Sequence, residues 1–227
     1  LSGRDANKGA CSHPCRWKYY LMEETRPGEY MPVEENERGT YIFNSKDLCM
    51  LNHIPELVEA GISSLKIEGR MKTPYYVGTI VKAYRQAIDD YFKDPEYYKS
   101  RIDYYMSEVS KASHRDFTTG FYFGKPGHDD QVYTNNSYIR DYDFIGIVLE
   151  DRNDDGYAVV MQRNKFEVGD KIEILPVKGD SMEMTVESMT DEDGVPVMSA
   201  PHPEQILRLK TDLPLKKYDM LRKASKQ

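Results

Sequence analysis

No run of apolar residues in this 227-residue chain approaches the roughly 18–20 that a membrane-spanning helix needs. No basic-then-apolar leader stands at its start. Cysteine is scarce, with Cys11, Cys15 and Cys49 the only three. A small, odd count without a leader argues against a secreted disulfide framework and leads us to expect a reducing, cytoplasmic setting. Two hydrolase signatures are missing: neither G-x-S-x-G nor H-E-x-x-H occurs. His13, His53, His114, His128 and His202 show no metal-ligand spacing and read as surface or packing residues. A Ser/His/Asp triad could still assemble in space, since such triads occur in any chain order. There is no excess of positive charge: 38 acidic against 31 basic residues give a net charge of −7. Bulk charge therefore does not recruit nucleic acid, although a local basic patch could. The first residue is Leu1 and no element start precedes Gly3-Arg4-Asp5, so a piece of a longer protein is expected.

What is present suits a globular chain with a real core. Hydrophobic residues make up 39% and charged residues 30%, in the range of folded domains. The 18 tyrosines read first as packing residues, since the ring buries while the hydroxyl stays wet. Residues 1–40 are turn-rich, with a short strand expected over Trp17–Met22. Residues 40–92 read as two strand–helix units. Thr40-Tyr41-Ile42-Phe43 is a strand, and a helical stretch then runs from a Ser45 cap through Leu48, Leu51 and Ile54, is interrupted at Pro55, and stops at Gly61. Ser64-Leu65-Lys66-Ile67-Glu68 is the second strand. Thr73 caps a helix whose apolar stripe is Val77, Ile80, Val81, Tyr84, Ile88 and Tyr91. Asp94-Pro95 opens a further helix with Tyr98, Ile102, Tyr105, Met106 and Val109 on one face.

Strand–helix alternation with short links implies a parallel sheet or an α/β barrel. The tail changes class. Short strands are expected at Phe144–Leu149, Tyr157–Gln162, Lys171–Leu175, Glu183–Met189 and Ile206–Lys210, separated by turns at Gly156, Gly169, Gly179 and Gly194. That spacing suggests a small antiparallel barrel or sandwich. The fold class is thus α/β plus all-β: the C-terminal portion of an α/β (TIM-like) barrel over residues 1–112, then a linker and small β-barrel domain over 113–227.

Three places carry chemistry. Cys11-Ser12-His13-Pro14-Cys15 sets two thiols four residues apart, a spacing that can reach one soft metal or iron–sulfur cluster. Arg4, Lys8 and Arg16 nearby favour thiolate. The alternative is two ordinary cysteines, and two ligands cannot alone hold a [4Fe–4S] cluster. The second place is Lys66-Ile67-Glu68-Gly69-Arg70-Met71-Lys72, with Asn44, Lys46 and Asp47 at the equivalent end of the preceding strand. In an α/β barrel the loops after the strands build the site. Glu68 could serve as a general base and Arg70 could clamp a carboxylate or phosphate, with Asn44, Lys46, Asp47, Lys66 and Lys72 as substrate contacts; the alternative is a salt-bridged rim. The third, Phe117 to Gly124, crowds four aromatics between turn residues and could stack on a ring or base, or dock against another part of the protein.

Residues 3–17, Tyr41 to Cys49, Lys66 to Lys72, and His114-Arg115 with Thr119-Gly120-Phe121 and Phe123-Gly124-Lys125-Pro126 resemble ordered blocks of the collagenase-like peptidase family U32. The tail resembles that family's C-terminal domain, a small barrel like those of translation factors. The resemblance implies a bacterial protein built on an α/β barrel. Members act as collagenase-like proteases or in tRNA uridine, ribosomal RNA cytidine or quinone hydroxylation. The hydroxylating members carry a [4Fe–4S] cluster on four cysteines, with prephenate implicated as oxygen source. On that pattern Cys11 and Cys15 are two of the four ligands, the others lie upstream of Leu1, and this chain alone is inactive. Cys49 falls outside the pattern and reads as a core thiol. The leading expectation is tRNA uridine hydroxylation linked to a prephenate-like molecule. The rivals are a peptidase acting on collagen-like chains and a non-catalytic RNA- or partner-binding module.

Overall fold

A computed structural model describes residues 46–125 and 139–225, together with Trp17, Tyr19, Tyr20, Met22, Pro27 and Gly28. The strand expected over 40–43, the Ser45 cap, Asn44, Cys11 and Cys15 lie outside these residues. The described residues fall into two compact units. One draws on Leu1–Lys72 and His114–Ile139, the other on Thr73–Ser113 and Arg140–Gln227. The helices of residues 74–110 thus pack with the β-rich tail, although sequence texture alone associates them with the α/β part.

The first unit is built from short elements. Strand β1 (Asp47–Leu48) pairs in parallel with β2 (Phe117–Thr118), Asp47 opposite Phe117. A 3-10 turn at Leu51–His53 leads into helix α1 (Ile54–Glu59), with Pro55 in its first turn, where the missing N–H costs no hydrogen bond. Gly61, at φ +73°, ends it. The Gly61 N–H donates to the Val58 carbonyl at 2.9 Å and the Ile62 N–H to Leu57 at 3.1 Å, the paired closure that spends the helix's last free carbonyls.

Two sequence expectations fail in this unit. Leu48 is not helical; it lies in β1 because the Asp47 and Cys49 N–H groups donate to Asp116 and Thr118 carbonyls at 2.8 and 2.9 Å. Ser64–Glu68 is not a strand either. It keeps the alternation of one, with Leu65 and Ile67 half-buried and Lys66 and Glu68 exposed. A strand also needs a neighbour's backbone to complete its ladder, and among the described residues none lies alongside. Likewise Trp17, Tyr19, Tyr20 and Met22 sit in no ladder.

The second unit opens with helix α2 (Pro74–Lys93). Its cap is as expected: the Thr73 hydroxyl accepts the Tyr76 N–H at 3.2 Å, and Pro74 occupies the first position. The buried face is Tyr75, Thr79, Ile80, Ala83 and Ala87, while Val81 of the expected stripe is exposed. Asp94 then caps α3 (Pro95–Ser100), accepting from Glu96 and Tyr97 N–H at 3.0 and 3.3 Å. The chain breaks at Arg101 before α4 (Ile102–Ser110), so the single helix expected here is two. Tyr98 and Tyr105 stack, ring centroids 5.9 Å apart, both buried.

The tail forms one curled antiparallel sheet of eight strands, an open half-barrel rather than a closed barrel. Its members are β3 (Tyr142–Glu150), β4 (Tyr157–Gln162), β6 (Lys171–Leu175), β7 (Met182–Thr185), β8 (Met189–Thr190), β9 (Pro196–Val197), β11 (Ile206–Lys210) and β12 (Met220–Ala224). They run in the order β7-β6-β12-β3-β4-β11-β8-β9. A further antiparallel pair joins β5 (Phe166–Glu167) to β10 (Ser199–Ala200). The expected strand Glu183–Met189 is split: β7 ends at Thr185, Val186 is buried in the core with its N–H donating to the Asp170 carbonyl, and β8 begins only at Met189. Inside the curl lie Ile145, Val148, Val160, Phe166, Ile174, Leu207, Leu209 and Leu221, all fully buried. Each contributes about 1.5–3 kcal/mol by leaving water.

Candidate functional site

The charged segment expected to carry substrate contacts is on the surface of the first unit. Lys66, Glu68 and Arg70 are exposed and Lys72 is half-buried. Glu68 does not face Arg70 as an ion pair; its Oε1 accepts the Arg70 backbone N–H at 3.1 Å. The Lys72 N–H donates to the Gly69 carbonyl at 2.9 Å, so the segment turns back on itself. Arg70 is exposed, and no described carboxylate lies within ion-pair distance of its guanidinium. Lys46 is half-buried beside β1.

Asp47 is engaged differently from the rest. One carboxylate oxygen accepts the Arg115 N–H at 3.0 Å, and the other meets the Arg115 guanidinium at 3.4 Å. Arg115 is 2% exposed. Next to it the His114 imidazole stacks on Phe117, centroids 4.5 Å apart, and its Nδ1 lies 2.7 Å from the Arg115 carbonyl. His114 also exchanges both backbone hydrogen bonds with Ile139, at 3.2 and 2.7 Å. The charged pair thus holds the β1–β2 parallel contact together, and a buried charge needs such a partner. Phe121, Tyr122 and Phe123 beyond it are exposed, with Phe123 leaning on His53 at 4.5 Å. Cys49 is half-buried.

The second unit holds an ionic network that sequence reading missed. Arg222 on β12 is fully buried. Its Nη2 donates to both Glu108 oxygens at 2.8 Å, to Glu173 Oε2 at 2.7 Å and to the Ser181 hydroxyl at 3.2 Å. Lys111 bridges the same two carboxylates at 2.9 and 2.8 Å, and the Tyr142 hydroxyl donates to Glu173 at 2.8 Å. Burial by itself raises the Glu108 and Glu173 carboxyls. Arg222 and Lys111 outweigh it and hold both below the usual carboxylate range. Burial and the Glu173 carboxylate push the Tyr142 hydroxyl up to about 12. Nearby on α2, burial lowers the Lys82 ammonium to about 8 against the opposing pull of Glu108. The Lys82 Nζ has no hydrogen-bond partner among the described residues.

This network ties helix to sheet. Glu108 and Lys111 come from α4 and its end, Glu173 from β6, Tyr142 from β3 and Arg222 from β12. Arg101 adds a second tie, reaching both Asp180 oxygens at 2.9 and 2.7 Å. Close approach permits it: a Cβ on Gly78 of α2 would lie 2.5 Å from the Met220 methyl. Every carboxylate in the network is spent on a cation, so the cluster serves cohesion rather than proton transfer. The available signal was Glu108, one residue before the apolar Val109 on the inward face of α4; a charge at such a position needs a buried partner.

Among the described residues no group of three or more His, Cys, Asp or Glu side chains is placed to hold a metal ion, and no helix is long and apolar enough to cross a membrane.

A parallel strand pair and charged surface loop accompany a helix-backed antiparallel half-barrel, which defines a mixed α/β class of protein. Sequence models sharpen this. Residues 1–132 match the model of peptidase family U32, and residues 140–222 match that of the peptidase family U32 C-terminal domain. The chain belongs to peptidase family U32. It is 36% identical over 223 residues to tRNA hydroxylation protein P1 of Bacillus subtilis, covering 98% of this chain and 52% of that protein. To tRNA hydroxylation protein P of Escherichia coli it is 33% identical over 242 residues, covering 88% and 52%. To a collagenase of Porphyromonas gingivalis it is 32% identical over 120 residues, covering 53% and 28%. The chain thus spans about half the length of its two tRNA-hydroxylation relatives.

Proposed function

We propose that the full-length protein acts in tRNA uridine hydroxylation. The observation that carries this reading is the 36% identity to tRNA hydroxylation protein P1, which runs through both units and covers 98% of this chain. A likeness confined to the half-barrel would fit a shared accessory domain equally well. In this reading Cys11 and Cys15 supply two thiolates to a [4Fe–4S] cluster. Their donor chemistry fits in kind, and it is two ligands short of the four such a cluster takes. When bound, the cluster would supply one-electron chemistry. Arg70, with Lys66 and Lys72, binds a small dicarboxylate of the prephenate type: its guanidinium offers two parallel donors and faces solvent. Glu68 braces the loop through the Arg70 N–H, and on this arrangement it positions Arg70 in addition to any base role. The protein works in the cytoplasm, where tRNA is.

The test is mass spectrometry of tRNA nucleosides from cells lacking the gene, complemented with full-length protein. Hydroxyuridine should vanish on deletion and return with wild type. It should not return with Cys11→Ala or Cys15→Ala, which should also lose iron, whereas Cys49→Ala should restore it. Unchanged hydroxyuridine on deletion sinks the proposal. The collagenase of Porphyromonas gingivalis keeps a second reading in view, hydrolysis of collagen-like peptides. Release of peptides from gelatin by purified full-length protein, with tRNA unaffected, would favour that one.

A further inference from the structure

Between β11 and β12 the chain makes a tight turn at Lys216-Lys217-Tyr218-Asp219. Tyr218 sits at φ +76°, a left-handed conformation that glycine adopts freely and a bulky aromatic residue rarely does. The surroundings fully determine it. The Tyr218 N–H donates to the Val148 carbonyl at 2.8 Å and the Asp219 N–H to the Lys216 carbonyl at 3.0 Å. The buried Asp219 carboxylate accepts the Lys216 N–H and the Val177 N–H, each at 2.8 Å. A glycine would make the same turn with less strain. The chain instead places an aromatic ring there and leaves it 61% exposed, with the Lys217 ammonium over its face at 5.3 Å.

The same Asp219 fixes the neighbourhood. By gripping residue 177 it brings the exposed Val177 and Lys178 beside the turn. Lys216, Lys217 and Lys178 are all exposed. The Asp151 carboxylate among them is already taken up by the Lys216 ammonium at 2.9 Å and the Lys217 N–H at 2.8 Å. An exposed aromatic flanked by lysines is the composition that single-stranded nucleic acid uses: a base stacks on the ring and its phosphates meet the cations. It stands out on a chain of net charge −7.

We propose that this end of the half-barrel contacts the RNA substrate, with an unpaired base stacked on Tyr218 and the adjoining phosphates on Lys217 and Lys178. The inference rests on tRNA being the substrate. It explains why a strained position keeps a tyrosine: the turn presents the ring rigidly, with little freedom left to lose on binding.

The experiment uses the full-length protein and an unmodified tRNA transcript, with affinity measured by fluorescence anisotropy and stability by thermal melting. Tyr218→Gly should raise the melting temperature, because the strain goes. It should weaken tRNA binding roughly five- to a hundredfold, the range for one lost base stack. Tyr218→Phe should bind as wild type. Lys178→Gln with Lys217→Gln should lower the slope of log affinity against log salt by roughly one to two. A Tyr218→Gly protein that binds tRNA like wild type overturns the inference while leaving the hydroxylation reading standing. A sharply lowered melting temperature in Tyr218→Gly also overturns it, since the ring would then be packing against another part of the protein or a protein partner. If the wild type itself fails to bind tRNA, the substrate reading falls and this inference with it.

Discussion

The two units use their apolar residues in opposite ways. In the second, every long strand has a neighbour on each side except at the two ends of the sheet, and the inward residues of β3, β4, β6, β11 and β12 close over one core. In the first, the only ladder among the described residues is two residues long on each strand, and Leu65 and Ile67 stand half-buried in an extended segment with none. An alternating pattern says which side of a segment avoids water. It does not supply the backbone groups that make the segment a strand. The half-barrel carries its partners within the 83 residues from Tyr142 to Ala224; among the described residues Ser64–Glu68 finds none, in a chain that spans 52% of its relative's length.

Hydrogen exchange gives the largest test of that contrast. The Leu65 and Ile67 amides should exchange quickly in this chain alone. In the full-length protein, if the segment completes a buried parallel strand, they should slow by roughly a thousandfold or more. Fast exchange in both would break the α/β barrel reading. Next in size is Arg222→Met, which leaves Glu108 and Glu173 buried beside Lys111 alone. Urea unfolding of the second unit should lose about 3–5 kcal/mol, the cost of breaking a buried ion pair from one side. A loss under about 1 kcal/mol would show that Lys111 suffices. Acid should act on the same cluster. Both carboxyls are held below their unfolded values. Their contribution is therefore complete above the unfolded value near about 4.3 and is lost as pH falls through the lower folded values.

In the first unit, Arg70→Lys in the full-length protein should weaken substrate use by about 1.5–3 kcal/mol, the range for a charge-assisted hydrogen bond, with melting unchanged. Full activity with lowered melting would make Arg70 a structural residue. Smallest is Lys82→Met, which removes a part-buried ammonium that has no hydrogen-bond partner among the described residues. Because burial lowers the Lys82 ammonium to about 8, the folded state binds fewer protons than the unfolded between about 8 and about 10.4. Wild-type stability should therefore rise with pH across that window. Lys82→Met should flatten the rise and gain on the order of 1 kcal/mol at neutral pH, discounted for partial exposure.

Much of the second unit was legible because its signals are local. Thr73 and Asp94 cap within three residues of themselves. Tyr157–Gln162, Lys171–Leu175 and Ile206–Lys210 have the bounds read from alternation and turns. Gly156 sits at φ +85° in the turn its Asp154-Asp155-Gly156 setting suggests. What escaped depends on distance or irregularity. Strand β12 reads Met-Leu-Arg-Lys-Ala: Leu221 enters the core opposite Ile174, while Arg222, opposite Glu173, is buried on the other face against Glu108 of α4, so two successive buried residues, one of them charged, hide the strand from a polar–apolar alternation. Arg222 meets Glu108 across 114 positions, and Arg115 meets Asp47 across 68; no spacing rule reaches so far. Of the expected site residues, Asp47 proved to be half of that second pair, while Lys66, Glu68 and Arg70 are exposed.

The separation between Arg222 and Glu108 also sets a schedule. A ribosome adding roughly 5–20 residues per second exposes α4, with its inward-facing Glu108, long before the partner arginine is made. Across 114 positions the wait is on the order of ten seconds. During that wait β3 and β6, which flank β12 in the finished sheet, have each an open edge and nothing between them. The nascent helices therefore have no finished surface to settle on, and a pause in synthesis within the β11–β12 turn would prolong the exposure of those edges. Codon choice across residues 211–222 should therefore bear on the yield of folded protein.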